Sequence, residues 1–128
     1  MTQRLPFIYF RQSPRGGRGI FTLKEIPEGA LIEICPVIVL PEKDLPLIHQ
    51  TFLHDYYFLW GDDEKQCAIA LGFGSLYNHD YHPNAEYVID VEQQCIDIYS
   101  LRDIKPGEEI TLNYNGDPEE QTPVWFDQ

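Results

Sequence analysis

Cysteine, basic side chains and long apolar runs are all scarce in this chain. Its three cysteines, Cys35, Cys67 and Cys95, stand 32 and 28 residues apart, with no Cys-x-x-Cys pair. That pattern argues against a disulfide framework and against a structural zinc site. The longest nearly apolar run, Ala30 to Leu40, contains Glu33 and Pro36 and is far too short to cross a bilayer. No extended apolar segment follows Arg4, so neither a signal peptide nor a membrane partner is expected, and a cytoplasmic protein is the plain reading.

Positive charge is the other scarcity. Nine basic residues face 21 acidic ones, for a net charge of −12. Residues 1–24 hold five of the basic side chains and no acidic one, which leaves −17 on residues 25–128. Such a field repels phosphate backbones and attracts cations, so direct nucleic-acid binding is not expected and lysine-rich protein segments are. Most of the carboxylates need no role beyond keeping a small domain soluble. With 128 residues, 43% of them hydrophobic, the chain is expected to be a single domain spanning 1–128. Homodimerisation is compatible with so small a domain, although no interface is legible.

What the chain does have is short strand-like pieces separated by turn residues. Leu5 to Phe10 and Gly19 to Leu23 flank a Gly-rich turn. Ala30 to Leu40 reads as one long strand or two joined at Pro36, which belongs on an edge or at a bulge. Glu86 to Val91 and Gln94 to Leu101 form a hairpin pattern, and Glu109 to Tyr114 alternates as a strand does. Only one stretch looks helical: Asp44 as N-cap, Pro46 in the first turn, a shared face of Leu45, Ile48 and Phe52, and an end near His54. Two segments rhyme, Lys24 to Gly29 and Arg102 to Gly107, each placing Pro then Gly before a new strand. The fold class is therefore mostly β with one short helical insert.

Two polar stretches do not read as core. Asn78-His79-Asp80-Tyr81-His82-Pro83-Asn84 is a loop by composition, because Asn satisfies nearby backbone groups and Pro donates no N–H. Gly107-Glu108-Glu109-Ile110-Thr111-Leu112-Asn113-Tyr114 ends its alternation on a Tyr flanked by Asn residues, so its phenol can sit at a lip. Upstream lies Gly17-Arg18-Gly19, which alone reads as an ordinary turn. The pair His79 and His82 lacks a clear third ligand, so no metal is expected.

Taken in order, these three segments resemble the SET domain family of protein lysine methyltransferases. The correspondence runs from about Arg15 to Asn115: Gly-x-Gly, then Asn-His and Pro-Asn, then Gly-Glu-Glu-Ile and a Tyr. Many members carry zinc-binding cysteine clusters beside the domain; this chain resembles the minimal, stand-alone members without them. The resemblance implies a SET-type β-clip fold of small curved sheets with a C-terminal pseudoknot. It also implies S-adenosylmethionine as cofactor, with methyl transfer to the side-chain amine of a lysine in a basic protein substrate. A catalytically silent module that binds the cofactor or a basic peptide is the alternative.

Residue by residue, the resemblance implies that Gly17, Arg18, Gly19, Asn78 and His79 hold the cofactor. It makes Tyr114 the catalytic tyrosine, with Tyr87 as a second channel tyrosine or as hairpin packing. Cys35 falls where many members have a channel tyrosine, and Tyr56 or Tyr57 could replace it. Asp80 stands where the family usually has Ser. Trp125 and Phe126, in the segment 116–128, would act as a lid over the channel or anchor the terminus on the core.

Overall fold

Turn residues cut the chain into short strands, and the computed structural model describes residues 3–114. The strands are β1 (Ile8–Gln12), β2 (Arg18–Thr22), β3 (Leu31–Leu40), β4 (Tyr57–Trp60), β5 (Gln66–Ala70), β6 (Asn78–His79), β7 (Ala85–Asp90), β8 (Cys95–Ser100) and β9 (Glu109–Leu112). They form a four-stranded sheet in the order β1-β2-β9-β6 and a five-stranded sheet in the order β4-β5-β3-β8-β7. Among the described residues, mostly β architecture with one short α-helix, α1 (Leu45–His49), matches the pattern-based reading.

The second sheet is antiparallel throughout and follows from local signals. β7 and β8 form the expected hairpin, turning through residues 91–94, where Gln94 adopts φ 53°. β3 is one strand, and its bulge lies between Leu31 and Glu33 rather than at Pro36. Pro36 sits where β3 stops pairing with β8 and starts pairing with β5, so its missing N–H falls at a change of partner in mid-sheet.

The helical insert is shorter than its periodicity suggests. Asp44 makes no side-chain cap bond, and α1 ends at His49. Thr51 then starts a separate 3-10 turn, Phe52–Asp55, by accepting from Leu53 N at 3.1 Å. A cap in the middle of the stretch competes with helix continuation. Phe52 consequently points outward, 82% exposed, instead of sharing a buried face with Leu45 and Ile48.

The two rhyming corners meet each other. Ile26 and Ile104 exchange both backbone hydrogen bonds, each at 2.8 Å, and both side chains are fully buried. Each corner turns at its glycine, Gly29 at φ 79° and Gly107 at φ 85°, a left-handed conformation that side chains resist. The pair of corners thereby delivers β3 and β9 to their sheets from one buried point. β9 enters the middle of the first sheet, antiparallel to β2 and parallel to β6. All four of its residues are buried, rather than every second one, because neighbours cover both faces.

Candidate active site

The three motif segments converge on β9. β6 places Asn78 opposite Thr111 and His79 opposite Leu112, so the Asn-His pair lies alongside the strand that leads into Tyr114. Asn84, buried, locks this arrangement: its Nδ2 donates to Glu109 O at 2.8 Å and its Oδ1 accepts from Thr111 N at 2.8 Å. Asp80 shapes the loop between them by accepting from His82 N at 2.8 Å.

Glu109 is the hub. Its buried carboxylate accepts from Ser13 Oγ at 2.7 Å, Arg15 Nη1 at 2.9 Å and Asn78 Nδ2 at 2.7 Å. Asn78 Nδ2 also donates to Arg18 O at 3.2 Å, so its amide nitrogen braces the Gly-rich loop from inside. Gly19 packs directly against this hub: a Cβ there would fall 2.8 Å from Asn78 Nδ2 and closer still to the Glu109 carboxylate. Gly17, at φ 59°, has no heavy atom within 4 Å of where a side chain would begin. The loop therefore offers bare backbone over open space on one side and is packed tight on the other.

Tyr114 hangs from the same frame. Its backbone N–H donates to His79 Nδ1 at 3.0 Å, and its phenol donates to the carbonyl of Tyr77. Tyr77 is itself pinned, for its buried phenol donates to Glu33 Oε1 at 2.6 Å. Glu33 also accepts from Phe73 N at 3.0 Å and pairs with Arg4 at 3.7 Å. Tyr87 reaches over from β7 to donate to Tyr114 O at 3.3 Å, its ring edge-on to Phe58.

Burial, followed by the nearby Tyr56, Asp55, Glu109 and Tyr87, pushes the Tyr114 phenol well above its usual range. Burial and then Glu64 push Tyr87 up to about 12. Burial and then Glu33 push Tyr77 well above its usual range too. These phenols are neutral hydrogen-bonding groups near neutral pH, not phenolate bases.

The remaining candidates fall in two places. Tyr56 stacks on Phe52 and lies close enough to act on Tyr114, whereas Tyr57 points to His49 Nδ1 at 3.0 Å. Cys35 is fully buried in the core, its thiol facing Gly74 and Glu33, and burial and then Glu33 raise it far above the thiolate range. Arg18 turns its guanidinium toward the Phe10 ring at 5.8 Å. Trp125 and Phe126 lie outside the described residues. A cavity of about 500 Å³ opens elsewhere, between Arg4, Leu5, Ile8, Glu33 and Phe73, and the three motif segments do not line it.

Glu109, Arg15, Tyr77 and Glu33 were not singled out by sequence reasoning. Glu109 sits inside a recognised motif, and a carboxylate at the start of a buried strand was the available signal. Tyr77 directly precedes Asn78, but nothing local tells that its phenol meets a residue 44 positions earlier.

With this geometry in place, the SET domain pattern matches residues 17–115, which include all three segments. The chain belongs to the SET domain family. It is a protein-lysine N-methyltransferase by class. A histone-lysine N-methyltransferase of Schizosaccharomyces pombe, specific for H3 lysine-37, is 37% identical over 118 residues, covering 91% of this chain and 75% of that protein. Histone-lysine N-methyltransferase ASHH2 of Arabidopsis thaliana is 26% identical over 88% of this chain, which spans only 7% of that relative. A crystal structure of a candidate histone methyltransferase from Plasmodium falciparum superposes with a TM-score of 0.71 at 30% identity, covering 89% of this chain and 95% of that one. The small curled sheets with one short helix thus have a SET-like structural neighbour.

Proposed function

We propose that this SET domain moves a methyl group from S-adenosylmethionine to the side-chain amine of a lysine in a basic protein segment. The observation that carries the reading is the Tyr114 phenol, held neutral against the Tyr77 carbonyl where the three motif segments meet.

The residues fit the cofactor. Bare backbone at Gly16 and Gly17 leaves room for a ligand at the loop, and nothing within 4 Å obstructs it. Arg15, Asp80 and Glu109 together carry a formal charge of −1, the sign that suits a cationic ligand. Gly17, Arg18 and Gly19 would hold it through backbone groups. His79 would hold it from β6, and so would Asn78 through groups other than its Nδ2. When bound, the cofactor supplies an electrophilic methyl group on a positively charged sulfur.

The lysine must arrive as a neutral amine, and deprotonation at pH 7 costs about 4–5 kcal/mol. Since burial keeps Tyr114, Tyr87 and Tyr77 protonated, the proton does not go to a phenolate. Low-polarity surroundings favour the uncharged amine instead. Tyr114 donates its own hydrogen to Tyr77 O, and a phenol oxygen that donates its hydrogen can still accept, so it can orient an amine N–H. The acidic balance of the chain beyond residue 24 supports a basic acceptor segment, in keeping with the histone specificity named for its relatives.

The test pairs calorimetric titration of S-adenosylmethionine with labelled methyl transfer to a lysine-rich protein, the modified residue being located by mass spectrometry. Binding followed by label on lysine is expected. Binding without transfer would remove the catalytic assignment, and absence of binding would remove the cofactor.

A further inference from the structure

The Gly-rich loop is held by both backbone and side-chain bonds. Ser13 closes the turn through its backbone, donating to Gly17 O at 2.8 Å and accepting from Gly16 N at 3.1 Å. Gly16, at φ 111°, and Gly17, at φ 59°, have nothing packed where side chains would be. Two such glycines make a soft segment, because each has more backbone freedom to lose than any other residue. Beside the Ser13 hydroxyl on Glu109 and the Asn78 amide on Arg18 O, its widest tie to the rest of the site is Arg15. One nitrogen of its guanidinium donates to Glu109 Oε1 on β9 and the other to Asp80 Oδ2 in the Asn-His loop, each at 2.9 Å. The fork therefore spans three segments that are far apart in sequence. Asp80 is in turn fixed at both ends: its backbone N–H donates to Leu112 O at 2.9 Å, and its Oδ1 accepts from His82 N at 2.8 Å.

We propose that Arg15 and Asp80 form a latch that holds the Gly16–Gly19 loop in the geometry that receives the cofactor, making both of them positioning residues. The proposal rests on the cofactor reading above and goes beyond it by naming groups outside the loop's own backbone. Asp80 stands where the family usually has Ser, and here that carboxylate has a built partner. Burial works against both charges, but hydrogen bonds to Asp80 and Glu109 outweigh it and raise Arg15, while bonds from His82 N and Arg15 hold Asp80 below the usual carboxylate range. A guanidinium can serve two acceptors at once because its donors are fixed in a plane, which a lysine cannot copy. Arg15 is 39% exposed and Asp80 28%, so the pair contributes little to global stability. Its effect falls on the loop.

Cofactor affinity and amide hydrogen exchange separate this role from simple structural support. In Arg15→Ala, the dissociation constant for S-adenosylmethionine should rise about tenfold, and in Asp80→Asn about threefold, with Arg15→Lys between wild type and Arg15→Ala. The double variant should be no weaker than Arg15→Ala by more than about twofold, because the two groups act as one unit. In the cofactor-free protein, amides of residues 14–19 should exchange about tenfold faster in Arg15→Ala, with the sheets unchanged. At saturating cofactor, kcat should stay within about twofold while the cofactor KM rises.

Unchanged affinity together with unchanged loop protection in Arg15→Ala would overturn the latch. So would protection lost across the whole chain, which marks a structural role, or effects of the two substitutions that add. If Arg15→Ala fails to fold, Asp80→Asn still decides, since it leaves the Glu109 contacts in place. A wild type without affinity for S-adenosylmethionine would end the cofactor reading, and hydrogen exchange alone would then judge the latch.

Discussion

The sheets β1-β2-β9-β6 and β4-β5-β3-β8-β7 bury their inner residues by different chemistry. Around β9 buried polar groups (Ser13, Asn84, Glu109, Thr111 and Asn113) are interleaved with buried Ile20, Ile110 and Leu112. Along β3, β5 and β8 they are mostly apolar, with Cys35, Ala68, Ile96 and Ile98 near zero exposure. Glu33 is a revealing exception in the second sheet, because its buried carboxylate holds Tyr77, whose carbonyl serves Tyr114. Apolar burial is non-directional and supplies stability. Hydrogen bonds are directional and costly to leave unmade, so a polar interior fixes geometry. The first sheet adds a polar network that places groups to its share of the core, while the buried residues of the second are mostly apolar.

The largest effect on stability should therefore come from the second sheet. Ile96→Ala empties a fully packed position opposite Cys35 and Ile89 and should destabilise the fold by about 2–5 kcal/mol, read by urea unfolding. Cofactor affinity of the folded fraction should stay within about twofold. A selective loss of affinity at unchanged stability would break the division between the sheets.

Next comes Tyr114→Phe, which sharpens the comparison from the other side. It removes one hydroxyl at the site and should leave stability within about 1 kcal/mol. Turnover should fall roughly 10²-fold, since a misplaced nucleophile costs that much. The loss should appear in kcat with cofactor affinity unchanged. Near wild-type turnover in this variant would move the catalytic assignment to Tyr87 or Tyr56.

How much of this was legible in the sequence follows the same division. The β7–β8 hairpin and β3 carry their own patterns and turn residues, so alternation and punctuation located them. The motif segments were visible because loops rich in Asn, His and Pro stand out from strands. The insertion of β9 between β2 and β6 was not visible, because strand order is set by contacts distant in sequence. The Arg15–Asp80 pair, 65 residues apart, and the Tyr77–Glu33 bond left no local trace for the same reason. The overlong helix was misjudged because Thr51 reads as an ordinary polar residue until its side chain is seen capping Leu53.

Gly17, in the turn, and Gly19, at the start of β2, give a finer comparison. Gly19 lies in β2 without a left-handed backbone, and a Cβ there meets Asn78 Nδ2 at 2.8 Å and the hub carboxylate. Glu109 cannot swing away without abandoning Ser13, Arg15 and Asn78. Gly19→Ala should cost about 1–3 kcal/mol by overpacking and weaken cofactor binding. Gly17→Ala meets open space and should cost about 1 kcal/mol through its positive φ alone. Thermal unfolding of both variants checks the order, and a larger loss for Gly17→Ala would mean that the hub is softer than its bonds imply.

The smallest expected effect near neutral pH comes from the phenols at the junction of the two sheets. Tyr87 is raised from about 10 to about 12 and Tyr114 is raised further, each chiefly by burial. For an acid whose folded pKa lies above its unfolded value, the folded state holds the proton more tightly. The associated stability is fully present below the unfolded pKa, about 10, and is lost as pH rises through the folded one. Stability should thus show no tyrosine-linked change from pH 7 to about 9 and should fall above about 10, with tyrosinate absorbance rising as the fold opens. Tyr87→Phe should flatten that alkaline fall, because phenylalanine has no proton to lose when the site is exposed. A fall that persists unchanged in Tyr87→Phe and Tyr114→Phe alike would assign alkaline sensitivity to the cysteines of the second sheet, where burial followed by the Asp97 carboxylate pushes Cys95 up to about 11.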